Sequence, residues 1–316
     1  MIKRSDFNII FKNLNDKDDI NILKTQFPNI SYSTFVAIFS QKRSKNYRNL
    51  CYRKIHNLKQ HYNSFINSTY SFTEISIQIG ISSSIFAKQM LTYIIECEPQ
   101  CLFDPNLKPN QYSSTELGKL VLGQPTSTTT TPSTTTATAN TNNLETQAKP
   151  ITDTQTIVKT IFKKPNIIGN PLLRSNILQS IYNDDNCSPL INHIRSSTGS
   201  EYEYLLQEKL FKLNIPYLSE SELRKNGYPK TPDIKLEVPI AYKGQIINWI
   251  ESKASFCDDN NFRNTIDQII GYKNRYGPGL AIFWFGFIED LNDMQEQGVI
   301  ISDCFPDLSD IEILCK

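Results

Sequence analysis

The chain has 316 residues, of which 39% are apolar and 21% charged, and its formal net charge is +1. That length allows two ordinary domains with cores of their own, and the composition is that of a folded globular protein. A near-neutral balance excludes a uniformly basic molecule, so any basic surface for nucleic acid is local.

Cys51, Cys97, Cys101, Cys187, Cys257, Cys304 and Cys315 are scattered, odd in number and without zinc-ligand spacing. They read as free thiols in a reducing compartment, because a disulfide framework is denser. The N-terminal MIKRSDFNIIFKNLNDKDD lacks the apolar core of a signal peptide. No apolar run reaches the roughly 18 residues that span a bilayer. The expectation is a soluble intracellular protein with no membrane partner.

Along the chain, Ile30 to Glu98 reads as helical, and its stretch 41–60 carries seven Lys/Arg and no acid. Ile75 and Ile79 at spacing four give a short helix, Gly80 breaks it, and Ser82 or Ser83 caps a second helix burying Phe86, Met90 and Ile94. Short helix, glycine turn and second helix match a helix-turn-helix whose second helix can enter a DNA groove. The plainer alternative is a hairpin that packs only on itself, with a solvated basic face beside it. Lys88 is the only basic residue from Ser83 to Ile95, which argues against a transcription regulator reading base sequence.

Pro125 to Pro150 is Thr/Asn/Ala-rich, almost without large apolar residues, and is expected to be a disordered linker. This divides the chain into an all-α, helix-turn-helix-like domain (1–124), the linker (125–150) and a C-terminal α/β domain (151–316). Thr156 to Ser197 mixes loop and helix. From Gly199 the pattern becomes helix, strand, hairpin, strand, helix, strand.

The hairpin carries the chemistry. One β-prone run starts at Asp233 and ends at Val238, and a second runs from Gln245 to Ala254 across a turn at Ala241–Gly244. A turn centred on Tyr242 sets Asp233 beside Glu251, and alternation puts Glu251 and Lys253 on one face, about 7 Å apart. Two carboxylates and an ammonium at the end of an apolar sheet cost several kcal/mol unless they are paired or bind a cation. Carboxylates are hard ligands suited to Mg²⁺ or Mn²⁺, with the backbone carbonyl of Ser252 as a further donor. Lys253, its pKa lowered by partial burial, would orient or deprotonate a water and neutralise charge on phosphorus. The alternative is an incidental surface salt bridge worth at most about 1 kcal/mol.

Glu203 shares a helix face with Leu206 and Leu210 and points to the core, although an acid near a helix start also satisfies the macrodipole. Glu201 lies on a more polar face. On the helix Asn264–Tyr276, Thr265, Gln268, Tyr272 and Arg275 line one face. Gln268 could hold the attacking water or a phosphate, and Arg263, Lys273 or Arg275 could grip a DNA backbone; the alternative, a solvated helix face, is the stronger reading for each of these basic residues singly. Leu280–Phe287 is a continuous apolar run expected of a central buried strand.

Gly199-x-x-x-Glu203, Thr231-Pro232-Asp233, Trp249-Ile-Glu251-Ser-Lys253-Ala-Ser-Phe256 and Tyr276-Gly-Pro-Gly279 closely resemble the TPD-motif family, the codanin-interacting nucleases. That family is a branch of the PD-(D/E)xK superfamily, similar to archaeal Holliday-junction resolvases, and the match covers roughly Gly199 to Pro306. The resemblance implies a restriction-endonuclease-like fold with a mixed sheet, Mg²⁺- or Mn²⁺-dependent cleavage of nucleic acid, here expected to be DNA, and a codanin-like partner. It places the protein in the nucleus and cytoplasm, and the dimeric resolvases leave a homodimer open. By position, Asp233 and Glu251 would be the metal ligands, Lys253 the catalytic lysine and Glu203 the helix acid. The alternative function is an adaptor that keeps a nuclease fold for binding a protein, against which the intact Asp/Glu/Lys set argues.

Overall fold

The structure is a computed structural model that describes residues 1–54, 57–67, 70–122, 153–291 and 298–314, with the backbone alone for 47–54. The tract 125–150 lies outside the described residues. Among the described residues no helix is long and apolar enough to cross a membrane.

The chain forms two compact units, one of residues 1–45 and 193–316, the other of residues 46–192. This differs from the division expected at 125–150. The N-terminal helices α1 (Arg4–Asn13), α2 (Asp19–Gln26) and α3 (Tyr32–Lys54) contribute Phe7, Ile10, Ile20, Leu23, Phe35 and Ile38 to a core shared with Phe256 and Ile288. Ile2 also bridges to Ile288, so the first residues belong with the C-terminal unit. The Thr-rich tract falls in sequence within the other unit, because the helices after it share that unit's core. A low-complexity stretch marks where a core is not, but not which cores it separates.

The helical unit contains α4 (Leu58–Ile66), α5 (Phe72–Ile79), α6 (Ser83–Cys97), α7 (Glu116–Val121), α8 (Thr154–Lys163) and α9 (Pro171–Tyr182). Ser71 and Glu74 form a capping box at the start of α5, Gly80 ends it at φ 70°, and the Ser82 hydroxyl caps α6. The turn chemistry read from the sequence therefore holds. The second helix does not stand free to enter a groove, however. α4, α5, α8 and α9 all pack on α6, and Phe86, Met90, Leu91 and Ile94 are wholly buried. Ser83 and Ser84, in its first turn, donate to the Ser180 carbonyl at 2.9 and 3.0 Å. Base contacts by a helix-turn-helix come from this turn, and here it is a core contact.

The other unit is built on a mixed sheet. Chain order after α9 is α10 (Pro189–Lys212), β1 (Tyr217–Ser219), α11 (Glu220–Lys225), β2 (Ile234–Tyr242), β3 (Gln245–Lys253), α12 (Asp259–Tyr276), β4 (Gly279–Phe283), β5 (Val299–Ser302) and β6 (Ile311–Ile313). The strands lie in the order β1-β2-β3-β4-β5, with β6 also on β2. β1, β2, β3 and β6 pair antiparallel, whereas β3, β4 and β5 run parallel. Parallel neighbours need a crossover, and α12 supplies it between β3 and β4.

Helices cover both faces. Leu206 and Leu210 of α10 pack with Ile234, Ile250, Leu280 and Ile282 on one side. Ile269 and Tyr272 of α12 pack with Trp249, Ala281 and Phe283 on the other. β4 and β5 are buried at every position, as expected of strands covered on both faces.

Candidate active site

The β2–β3 hairpin turns at Lys243 and Gly244, both at positive φ (49° and 75°), so glycine fits where a side chain would strain. The turn pairs Tyr242 with Gln245, one to two residues later than a turn centred on Tyr242. Between Ile240↔Ile247 and Lys235↔Trp249, β2 spans five residues while β3 spans two. This irregularity, which contains Pro239, compensates for the late turn. Ile234 then pairs with Ile250, so the next residues, Asp233 and Glu251, meet as anticipated.

At that end of the sheet the two strands exchange backbone donors for carboxylates. The Asp233 N–H donates to Glu251 Oε2 at 3.3 Å, and the Ser252 N–H donates to Asp233 Oδ2 at 2.7 Å. Lys253 Nζ donates to Glu251 Oε1 at 2.6 Å. The Glu251 side chain is 1% exposed and that of Lys253 29%. The Lys253 carbonyl accepts from Trp284 N on the β4 side. Carbonyls alternate along a strand, so the Ser252 carbonyl faces the β2 side, toward Asp233.

Electrostatics show what the cluster lacks. Burial, and then the neighbouring Asp233, pushes the Glu251 carboxyl up to about 7, against the opposing pull of Lys253. Asp233 is raised as well, chiefly by burial, while the Ser252 N–H and Lys253 pull it down. Glu203, half-buried on α10, is raised by desolvation and by Asp233 and Glu220, so it stands within electrostatic reach of the hairpin acids. For Lys253 the expected lowering is reversed. Burial pulls it down, but Glu251, Asp233 and Glu203 outweigh that and hold the ammonium above its ordinary value. One lysine thus faces several carboxylates, and the surplus negative charge calls for a proton or a cation.

A hard divalent cation fits that surplus. Asp233, Glu251 and the Ser252 carbonyl are oxygen donors, and Mg²⁺ keeps several waters of its own. Among the described residues no group of three or more His, Cys, Asp or Glu forms a ready-made metal cage, so such an ion would rely on those waters and on substrate oxygens.

α12 completes the site. Gln268 Nε2 donates to Glu251 Oε1 at 3.1 Å and to the Tyr272 hydroxyl at 2.5 Å, and that hydroxyl donates to the Thr231 carbonyl at 2.9 Å. Burial and the Glu251 carboxyl raise Tyr272, keeping the hydroxyl protonated. Arg275 donates to the Pro229 carbonyl, so it holds the loop before Asp233. Arg263 is turned back onto Asp259 O of its own helix at 3.0 Å.

Sequence reasoning missed Glu220, which begins α11. Its N–H donates to the Asp233 carbonyl at 3.0 Å, and its charge raises both Asp233 and Glu203. The serine-capped Ser219–Glu222 box was the signal that a helix begins beside the site. The Tyr276–Gly279 segment is scaffold. Gly277, at φ 85°, caps α12, and its carbonyl accepts from Trp249 Nε1 at 2.8 Å. A Cβ on Gly279 would lie 2.1 Å from the Trp249 ring.

Comparison with known proteins agrees with this geography. A family model described as "Protein of unknown function TPD sequence-motif" matches residues 170–305, which include every residue named in the cluster. CDAN1-interacting nuclease 1 of Xenopus laevis is 43% identical over 155 residues, 49% of this chain and 51% of that protein. The Danio rerio protein of the same name is 44% identical over 160 residues, 50% of this chain and 53% of its own length. The chain thus spans about half the length of these two relatives in the matched region. With the Homo sapiens protein of that name the match is 30% over 300 residues, 95% of this chain and 91% of the relative. No solved structure matches the chain.

Proposed function

The chain belongs to the TPD-motif family of CDAN1-interacting nucleases, and from that membership and the buried acidic pair we propose that it is a divalent-metal-dependent nuclease of the PD-(D/E)xK type acting on DNA. The observation that carries the reading is Asp233 and Glu251 meeting across the hairpin, with the Lys253 ammonium bonded to Glu251. Carboxylates from neighbouring strands of a mixed sheet flanked by helices also fit a restriction-endonuclease-like fold.

Asp233, Glu251 and the Ser252 carbonyl would hold the metal, which when bound supplies a Lewis acid for a non-bridging phosphate oxygen and acidifies a water. Lys253 stays protonated among its carboxylates, so it holds charge and does not act as the base. Its ammonium stabilises the negative charge that grows on the phosphoryl oxygens. Glu203 adds a carboxylate on the α10 side that can receive or pass a proton. In the net reaction water oxygen bonds to phosphorus, the P–O ester bond breaks, and the water proton ends on the leaving oxygen. The relatives' name also supplies a partner, a codanin-like protein, and we extend that partner to this chain.

The test is cleavage of labelled single-stranded, duplex, flap and four-way-junction DNA with Mg²⁺, Mn²⁺ or EDTA, comparing wild type with Glu251→Gln and Asp233→Asn. Metal-dependent cutting that both variants lose, while their folds persist by circular dichroism, is the expected result. Variants that cut like wild type overturn the site. A wild type that cuts nothing but captures a codanin-like protein favours the adaptor reading.

A further inference from the structure

The hydrogen bonds around Gln268 decide which of its amide atoms faces the substrate. The Thr231 carbonyl can only accept, so the single Tyr272 hydroxyl proton goes to it. Toward Gln268 the Tyr272 oxygen then has only lone pairs to offer. Glu251 Oε1, which already accepts from Lys253 Nζ, is likewise an acceptor. Both neighbours of Gln268 therefore require an N–H, and the amide carries its two on Nε2. Turned over, the amide would set its oxygen against two acceptors and lose both bonds. With Nε2 spent, Oε1 is the atom left over, and Gln268 is an exposed residue.

We propose that Tyr272 locks the Gln268 amide in one orientation, so that Gln268 presents its carbonyl oxygen to the substrate and holds the attacking water there. This rests on the nuclease reading above and makes it more specific. A phosphodiester has no proton to give, so it is a poor partner for this oxygen. A water gives Oε1 one proton in a hydrogen bond and keeps a lone pair for phosphorus. Gln268 itself neither gains nor loses a proton. Tyr272 is then a positioning residue that acts through Gln268, and the threonine before Pro232-Asp233 supplies the carbonyl that orients the tyrosine.

Two measurements test this on the full chain. In ¹⁵N-labelled protein the Gln268 side-chain NH₂ pair is identified by its loss in Gln268→Ala. We expect its exchange with water to be at least about tenfold slower than that of a free glutamine, and to quicken at least about threefold in Tyr272→Phe, where the Glu251 bond alone remains. Ordinary exchange in wild type overturns the lock, whether or not the protein cleaves. In cleavage assays Tyr272→Phe should lower kcat about tenfold with little change in KM, and should cost nothing further in the Gln268→Ala background. An equal loss in both backgrounds overturns the positioning role, since Tyr272 would then act through Thr231 alone. A slow NH₂ pair in a wild type that cleaves nothing with either metal removes the nuclease reading and the water-holding role together, and leaves the amide lock standing.

Discussion

Glu251→Gln should make the metal-free protein much less sensitive to pH. In the fold, burial and Asp233 lift the Glu251 carboxyl from the ordinary 4.5 to about 7. A folded carboxyl with a raised pKa keeps a proton that the unfolded chain has already released. Between about pH 4.5 and 7 each increase in pH therefore favours unfolding, and above that window the full penalty applies. At about 1.4 kcal/mol per tenfold change in proton affinity, the penalty at pH 8 is about 3 kcal/mol. The glutamine has the same shape and cannot ionise, so this part of the slope disappears. At pH 5 the wild-type carboxyl is itself protonated, so no ion pair is lost there, and any packing difference between acid and amide is common to both pH values, which is why the slope and not the stability itself is the readout. The assay is urea unfolding in EDTA at pH 5 and pH 8, followed by fluorescence. Both tryptophans of the chain, Trp249 and Trp284, lie in the sheet unit, so the signal reports that unit. Wild type should lose about 3 kcal/mol more than the variant between the two pH values, and Mg²⁺ at pH 8 should restore wild type alone. Parallel slopes for the two proteins would refute the raised carboxyl, and with it the claim that the cluster awaits a cation.

Two further substitutions probe the framework. Gly279→Ala would force a Cβ to within 2.1 Å of the Trp249 ring, and should cost about 3 kcal/mol in urea unfolding with a shifted tryptophan emission; unchanged emission would show that the ring has room. Asp184→Ala removes the acceptor for the Ser82 hydroxyl and for the N–H groups of Ser84, Asn186 and Cys187, and should cost about 3 kcal/mol by far-UV circular dichroism. A loss under about 0.5 kcal/mol would mean that water replaces the carboxylate there.

What could be read from the sequence were features with local causes. Gly80, Ser82 and the buried positions Phe86, Met90 and Ile94 follow from capping rules and a period of 3.6, and they stand where those rules put them. Asp233 and Glu251 were paired correctly, although two deviations had to cancel for this. The turn comes later than Tyr242, and extra residues around Pro239 restore the register. Nothing in the period of two foretells such a bulge, because it depends on β1 and β6 sharing one edge of β2. The direction of the Lys253 shift was misread for a similar reason. Burial is visible in an apolar strand, whereas the sum of charges from α10, β2 and β3 is set only by the fold. The division into units differs from the expected one because Ile2 meets Ile288 and Phe7 stacks on Phe256, each more than 200 residues away.

The segments that carry the family resemblance therefore contain two kinds of residue. Asp233, Glu251 and Lys253 carry the charge, and replacing the two acids by Asn and Gln keeps an acceptor for the backbone N–H groups of Ser252 and Asp233. Thr231, Trp249, Gly277 and Gly279 carry none, and their role is geometric. Trp249 sits two residues before Glu251 on the same strand, with its indole N–H on the Gly277 carbonyl and its ring over Gly279. That contact ties the end of α12 to β3 and sets how Gln268 and Tyr272 approach the site. A carboxylate pair buried against its own electrostatics survives only if the surrounding chain cannot relax away from it. The tryptophan–glycine contact and the Tyr272–Thr231 bond supply that constraint together, both at the C-terminal end of α12. The spacing of the motif is thus the spacing of a rigid bracket as much as of a charge cluster.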